Sequence, residues 1–125
     1  MDVLVSVIVI TYNSALFVLE TLNSIKEQTY KNIELIVSDD CSTDNTVQIV
    51  KGWVEQNKSR FINAHIIESE KNTGISANAN RGLYKAQGKY VKFIAGDDLL
   101  LKNCIFNNVE FIEINRSDIV FSKVH

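Results

Sequence analysis

Short, continuous apolar runs alternate with helix-spaced apolar stripes along almost the whole chain, and this alternation limits the fold more than any other feature. Residues 3–11 are β-branched and apolar almost throughout, and Tyr12-Asn13-Ser14 closes the run. Such a run reads as a strand buried on both faces. Leu16, Leu19, Leu22 and Ile25 then recur every three residues, which predicts a helix with Asn13 or Ser14 near its cap. Residues 33–38 predict a second strand, ending in Asp39-Asp40, after which Ser42 and Thr43 can cap a helix with Val47, Val50, Trp53 and Val54 on its inner face. Residues 64–67 predict a third, shorter strand. Asn72-Thr73-Gly74 reads as a turn, and Ile75, Ala79, Leu83 and Ala86 as a helical stripe with Gly88 as its C-cap. Residues 90–95 predict a fourth strand, followed by Gly96-Asp97-Asp98. Ile105, Val109 and Ile112 predict a further helix, and residues 119–121 a last strand.

Strands alternating with helices at this spacing imply an α/β fold, a Rossmann-like, mostly parallel sheet flanked by helices and joined by right-handed crossovers. In a parallel sheet the carboxyl ends of all strands share one edge, and ligands bind in the crevice outside it. Thr11-Tyr12-Asn13, Asp39-Asp40 and Asp97-Asp98 each directly follow a strand, so residues far apart in sequence are expected at one crevice. The 125 residues suit a single domain, residues 1–125, and 46% of them are hydrophobic, enough to fill a core. A net charge of -2, from 13 basic and 15 acidic side chains, gives no footprint for nucleic acid and no polybasic run for an anionic membrane. Cys41 and Cys104 make neither a disulfide framework nor a zinc spacing, and read as free thiols in a reducing compartment. The early apolar run falls short of the roughly 20 residues a membrane span needs, and no basic segment precedes it. A soluble, cytoplasmic domain without a transmembrane segment is expected.

The strand-end clusters each admit a plain and a chemical reading. Asp97-Asp98 can be two solvated acids capping the following helix, which is the favoured reading of such a pair alone. It can also hold magnesium or manganese, which prefer oxygen ligands and share their shell with substrate phosphates, and Gly96 allows close backbone approach. Asp39 and Asp40 can serve the helix after them, as can Asp44. A carboxylate also accepts hydrogen bonds without donating, so Asp40 can select the imide N–H of uracil or the N–H edge of guanine. Thr11 and Tyr12 can contact a base, or merely finish the first strand. Asn72, Asn78, Asn80 and Arg81 form a polar group around the start of the third helix. They can approach phosphate, or be turn residues and a solvated helix face. Neither a glycine-rich dinucleotide fingerprint nor a phosphate-binding Gly-Lys-Ser/Thr loop is present. His65 lies within a strand and His125 ends the chain, so a histidine-based site is poorly supported.

Taken in order, these motifs resemble a known family. Residues 6–13 (SVIVITYN), residues 33–44 (IELIVSDDCSTD), Asn72-Thr73-Gly74, Gly88-Lys89-Tyr90 and Gly96-Asp97-Asp98 are similar in order and spacing to the family 2 glycosyltransferases. The resemblance runs from Val5 to about Leu101, nearly the whole chain. It implies a GT-A fold and a nucleotide-diphosphate sugar donor whose sugar passes, with inversion, to a saccharide or lipid-linked acceptor, as in polysaccharide biosynthesis. It implies that Thr11 and Tyr12 line the base pocket and Asp40 binds the base. Asp97 would hold the ribose, and Asp98 a manganese or magnesium ion bridging the diphosphate. Asn13, Asn72 and Asn80 belong to the same expected nucleotide-sugar site. The chain departs from the family pattern at Ile10 for a proline, Ala95 for an acid and Ala79 for an arginine. Family members also continue well past this point, with the acceptor-binding half and its base downstream. Glu110, Glu113 and Asp118 are the only acids after Asp98, and none is assigned as that base. The chain is therefore expected to be a donor-binding portion without the acceptor-binding part, with any hold on the inner face of the membrane left to missing parts. The alternative is a non-catalytic nucleotide-sugar-binding module or an inactive fragment. A phospho-acceptor signalling domain would need acids after the first strand, where Thr11-Tyr12-Asn13 stands.

Overall fold

The two most apolar runs of the sequence become the two central strands. In the computed structural model, which describes residues 3–116, β1 (Val5–Thr11) and β2 (Ile33–Asp39) are buried along nearly their full lengths. The other strands are β3 (Asn63–Glu68) and β4 (Tyr90–Ala95), both half exposed as edge strands are. The helices are α1 (Val18–Lys26), α2 (Thr46–Asn57), α3 (Ile75–Lys85) and α4 (Cys104–Asn115), with a 3-10 turn at Lys58–Arg60. All strand pairs are parallel, in the order β3-β2-β1-β4, so the α/β architecture expected from the alternation is what forms. The strand expected over residues 119–121 lies outside the described residues.

Register decides where the site falls. Thr11 pairs with Asp39, Asp39 with Glu68, and Ile10 with Ala95, so the strands end level with one another. The order also reverses at β1: β2 and β3 lie to one side and β4 to the other. That reversal opens a crevice between the ends of β1 and β4.

The two faces of the sheet are covered unequally. Val5, Val7, Val9, Leu35, Val37 and Ile94 join Val18, Leu22 and Ile25 of α1, Val50 and Trp53 of α2, and Ile105 and Val109 of α4 in one core. Each fully buried aliphatic side chain there contributes roughly 1.5–3 kcal/mol. The opposite face carries Ser6, Ile8, Glu34, Ile36 and Ser38, and α3 packs on it against β1 and β2. Gly82 makes that contact possible, because a Cβ there would lie 2.5 Å from Ile8 Cγ2.

Several local expectations change. In α1 the buried face is Val18, Thr21, Leu22 and Ile25, while Leu16 is 87% exposed and Leu19 half exposed. A spacing of three drifts around a helix of 3.6 residues per turn, and Leu16 precedes the helix altogether. The backbone carbonyl of Ser14, not a side chain, accepts the N–H groups of Phe17 and Val18. Helix α2 begins after Asn45 rather than at Ser42 or Thr43. The Asp44 carboxylate takes the Thr46 N–H at 3.0 Å, and Val47 and Val54 are only partly buried. In α3 the expected stripe points outward, with Ile75 79% exposed, and Asn78 and Gly82 face the sheet. The helix ends at Ala86 in extended conformation, so Gly88 is no C-cap. Gly88 instead lies where a Cβ would come within 2.6 Å of the Ser6 amide nitrogen.

Candidate functional site

An open cavity of about 330 Å³ occupies the crevice between the ends of β1 and β4. Its walls include Thr11, Tyr12, Asn13, Asp40, Asn78 and Asp97. Three strand-end clusters separated in sequence thus meet in one place. Asp98, Asn72 and Asn80 lie outside this wall.

The β1 end is fixed by hydrogen bonds to the loop after β2. Thr11 Oγ1 donates to Asp39 Oδ1 at 2.6 Å, and Ser42 donates from Oγ to the same oxygen and from N to Oδ2. Asn13 stands in the left-handed region, with φ 50, which asparagine tolerates better than most residues. Its Oδ1 accepts the N–H of Thr43 at 2.8 Å and of Asp44 at 3.3 Å, and its own N–H donates to Ser42 Oγ at 2.9 Å. Asn13 therefore organises the loop as well as lining the cavity. Tyr12 between them is 46% exposed, with its ring available to a flat partner.

Asp40 is almost wholly buried, yet its carboxylate is surrounded by donors. Oδ1 accepts from Thr73 Oγ1 at 2.6 Å and Arg81 Nη2 at 2.8 Å, and Oδ2 accepts from Gly74 N at 2.8 Å. The Thr73 N–H is shared, at 2.9 Å and 3.0 Å from the two oxygens. Burial pushes the carboxyl pKa up, but the bonds from the Thr73 hydroxyl and amide, the Gly74 amide and Arg81 outweigh it and lower it to about 2. The group stays ionised at any physiological pH. Gly74, at φ 93, supplies a backbone conformation that residues with a side chain rarely adopt, and so lets its amide turn toward Asp40.

Beneath this cluster Asn78 joins three elements. Its amide donates to the Ser38 carbonyl at 2.9 Å and the Thr11 carbonyl at 3.3 Å. Its Oδ1 accepts from Ser38 Oγ at 2.7 Å and Arg81 Nη2 at 3.1 Å. Read from sequence it is one member of a polar helix face, but the structure buries it. The signal was present: Gly82 lies one turn further on, and a mid-helix glycine marks the face of close approach, which residue i−4 shares.

The acid loop is held by its backbone, leaving its side chains free. Gly96 N–H donates to the Ile10 carbonyl at 3.0 Å, Asp98 N–H to the Ala95 carbonyl at 3.1 Å, and Thr21 Oγ1 to the Asp98 carbonyl at 2.7 Å. A Cβ on Gly96 would lie 2.8 Å from Ser14 Oγ and 3.0 Å from Thr11 Cγ2, so only glycine brings this loop so close to β1. Both Asp97 and Asp98 are exposed, and neither carboxylate makes a hydrogen bond or ion pair within the described residues. Two unengaged carboxylates suit a hard divalent cation, which commonly takes one or two from protein and the rest from water and phosphate. No group of three or more potential metal-ligating side chains occurs among the described residues.

A parallel α/β domain with acids, amides and an exposed aromatic gathered at the switch point of its sheet is a ligand-binding domain of the nucleotide-binding type. More specifically, the chain belongs to glycosyl transferase family 2, whose sequence profile matches residues 6–125. It is 36% identical over 109 residues to the putative teichuronic acid biosynthesis glycosyltransferase TuaG of Bacillus subtilis, covering 87% of this chain and 42% of that protein. It is 37% identical over 122 residues to the poly(ribitol-phosphate) beta-N-acetylglucosaminyltransferase TarS of Staphylococcus aureus, covering 95% of this chain and 20% of TarS. The crystal structure of TarS residues 1–349 with UDP-GlcNAc superposes with a TM-score of 0.82 at 36% identity, over 92% of this chain and 32% of that one. The mannosyltransferase PcManGT of Pyrobaculum calidifontis, in complex with GDP-Man and Mn2+, superposes with a TM-score of 0.83 at 30% identity, over 90% of this chain and 33% of that one. The fold is thus of the GT-A type, as the motifs implied, and the chain spans less than half the length of these relatives. No helix among the described residues is long and apolar enough to cross a membrane.

Proposed function

We propose that this chain is the donor-binding portion of an inverting family 2 glycosyltransferase. In this reading it holds a nucleotide-diphosphate sugar while the sugar passes to a saccharide or lipid-linked acceptor. The observation that carries the reading is the cavity between β1 and β4, where Thr11, Tyr12, Asp40 and Asp97 share one wall. Tyr12 offers a ring face to the base and Asp40 an ionised acceptor to its N–H edge. Asp97 takes the ribose hydroxyls and Asn13 adds to the same wall, while Asn72 and Asn80, outside that wall, belong to the proposed site only as more distant members.

Asp98, with Asp97 beside it, would hold manganese or magnesium against the diphosphate. A cation there supplies electrostatic stabilisation of the charge that develops on the departing nucleotide. The protein's own contribution is positional. Hydrogen bonds to the backbone of residues 96–98 fix the acid loop before donor arrives, so little reorganisation is needed on binding.

Among the described residues, no acid other than Asp40 and Asp97 lines the cavity. Glu113 is engaged with Lys89 at 3.4 Å on α4. The base that deprotonates the acceptor is accordingly assigned to a part of the protein outside the described residues, with residues 1–125 forming one donor-binding domain. The isolated chain then binds donor without transferring sugar. Cytoplasmic placement, where nucleotide sugars are made, belongs to the same proposal.

Calorimetric titration with UDP and GDP, with and without manganese, tests the reading. Binding of at least one nucleotide that strengthens with the metal is expected. Absence of any nucleotide binding in the presence of manganese would sink it.

A further inference from the structure

Solved relatives hold both uridine and guanosine donors, so kinship leaves the base open. The surroundings of Asp40 decide between them. An ionised carboxylate offers about four lone-pair positions. In Asp40 the Thr73 hydroxyl and the Arg81 guanidinium take two on Oδ1, the Gly74 amide takes one on Oδ2, and the Thr73 amide straddles both oxygens. Only where the straddling Thr73 amide shares its bond is an acceptor position left, so at most one is open to a ligand in the cavity that Asp40 lines.

The pairing edges of the bases differ in what they ask of that position. Uracil presents a single N–H between two carbonyl oxygens. Guanine presents two adjacent donors, N1–H and the exocyclic amine, and needs two acceptors side by side. Cytosine turns a ring-nitrogen lone pair toward the carboxylate, which repels it.

We propose that Arg81 is a positioning residue that selects a uridine donor. With Thr73 and Gly74 it clasps Asp40 so that one acceptor, not two, faces the base. The assignment rests on Asp40 being the base contact. The clasp is itself braced, since Asn78 Oδ1 accepts from Arg81 Nη2 at 3.1 Å and the Asp40 N–H donates to the Thr11 carbonyl at 3.0 Å. Asp40 therefore cannot swing to offer a second oxygen. Arg81 is not a free cation for phosphate either, since its terminal nitrogens bond Thr73, Asp40 and Asn78.

The test is a titration of the protein with UDP, GDP and CDP at fixed manganese, in the wild type and in Arg81→Met. The wild type should bind UDP at least roughly tenfold more tightly than GDP, the effect of one unmet buried donor, with CDP weaker still. Arg81→Met removes one donor and the brace, letting the carboxylate turn, so the UDP-to-GDP ratio should fall several-fold even if both affinities drop. A ratio rather than an affinity is read because general loosening would weaken both nucleotides alike. Arg81→Lys, which keeps charge but not the fork of donors, gives the same reading if the methionine variant fails to fold. Equal binding of UDP and GDP by the wild type, or an unchanged ratio in a folded variant, overturns the proposal. Binding of no nucleotide at all would instead overturn the donor-site reading beneath it.

Discussion

Replacing Asn78 by alanine should destabilise the protein far more than its place in a polar helical segment suggests. The side chain is almost fully buried and serves two strand ends at once. Alanine would remove the side-chain bonds to the Ser38 carbonyl and the Ser38 hydroxyl, at 2.9 Å and 2.7 Å, and leave that hydroxyl only the Asn78 backbone carbonyl as acceptor, at 2.9 Å. The longer bond to Thr11, at 3.3 Å, adds less. A buried hydrogen bond contributes roughly 0.5–1.5 kcal/mol, so the two strong bonds together are worth about 2 kcal/mol. That is a measurable part of a domain stability of about 5–15 kcal/mol, and the variant should still fold. Urea unfolding followed by circular dichroism measures the loss. Asn80→Ala, two residues on and exposed, is the matched control and should change stability by less than about 0.5 kcal/mol. If Asn78→Ala and Asn80→Ala unfold within about 0.5 kcal/mol of each other, the argument that Asn78 staples the strand ends is wrong.

Other consequences are as direct. The pKa of Asp40 is lowered from 3.8 to about 2, so its stabilisation is complete above pH 3.8 and is lost as pH falls through about 2. The stability gap between wild type and Asp40→Asn should be about 2 kcal/mol at pH 7 and shrink over that acid window, and a gap that does not change between pH 5 and pH 2 would refute this. Gly88→Ala should cost about 1–3 kcal/mol in urea unfolding, because the new methyl meets the Ser6 backbone at 2.6 Å and the Leu4 carbonyl at 2.9 Å, neither of which can give way. Asp98→Ala should leave the unfolding midpoint unchanged while nucleotide affinity ceases to depend on manganese; retained metal dependence would count against that carboxylate as a ligand.

The strands and the shared edge were legible in the sequence because both rest on simple periodicities. An apolar β-branched run such as residues 3–11 can be buried on both faces only in the middle of a parallel sheet, and parallel strands must end on one side. The helix faces were less legible. A spacing of three in α1 counted Leu16 and Leu19 as inward, whereas Val18 and Thr21 take their places. In α3 the sheet is met by Asn78 and Gly82, since a helix that approaches this closely needs a small residue and a polar one that can reach strand-end carbonyls. Hydrophobicity alone points to the wrong face there. The hydrogen-bond duties of Asn13 and Asp40 were not legible either. Both partners lie about 30 or more residues away, at Thr43 and Thr73, and only the folded chain brings them within reach.

The central claim is that nucleotide and metal meet at the crevice between β1 and β4. Amide NMR of the protein titrated with UDP and a trace of manganese tests it most directly, because the paramagnetic ion broadens signals from nearby nuclei. The account predicts broadening centred on Gly96, Asp97 and Asp98 and shifts at Tyr12 and Asn13. Residues at the opposite edge, such as Val5, Ile33 and Tyr90, should be unaffected. Broadening centred on that opposite edge, or none when nucleotide and metal are both in excess, would contradict it.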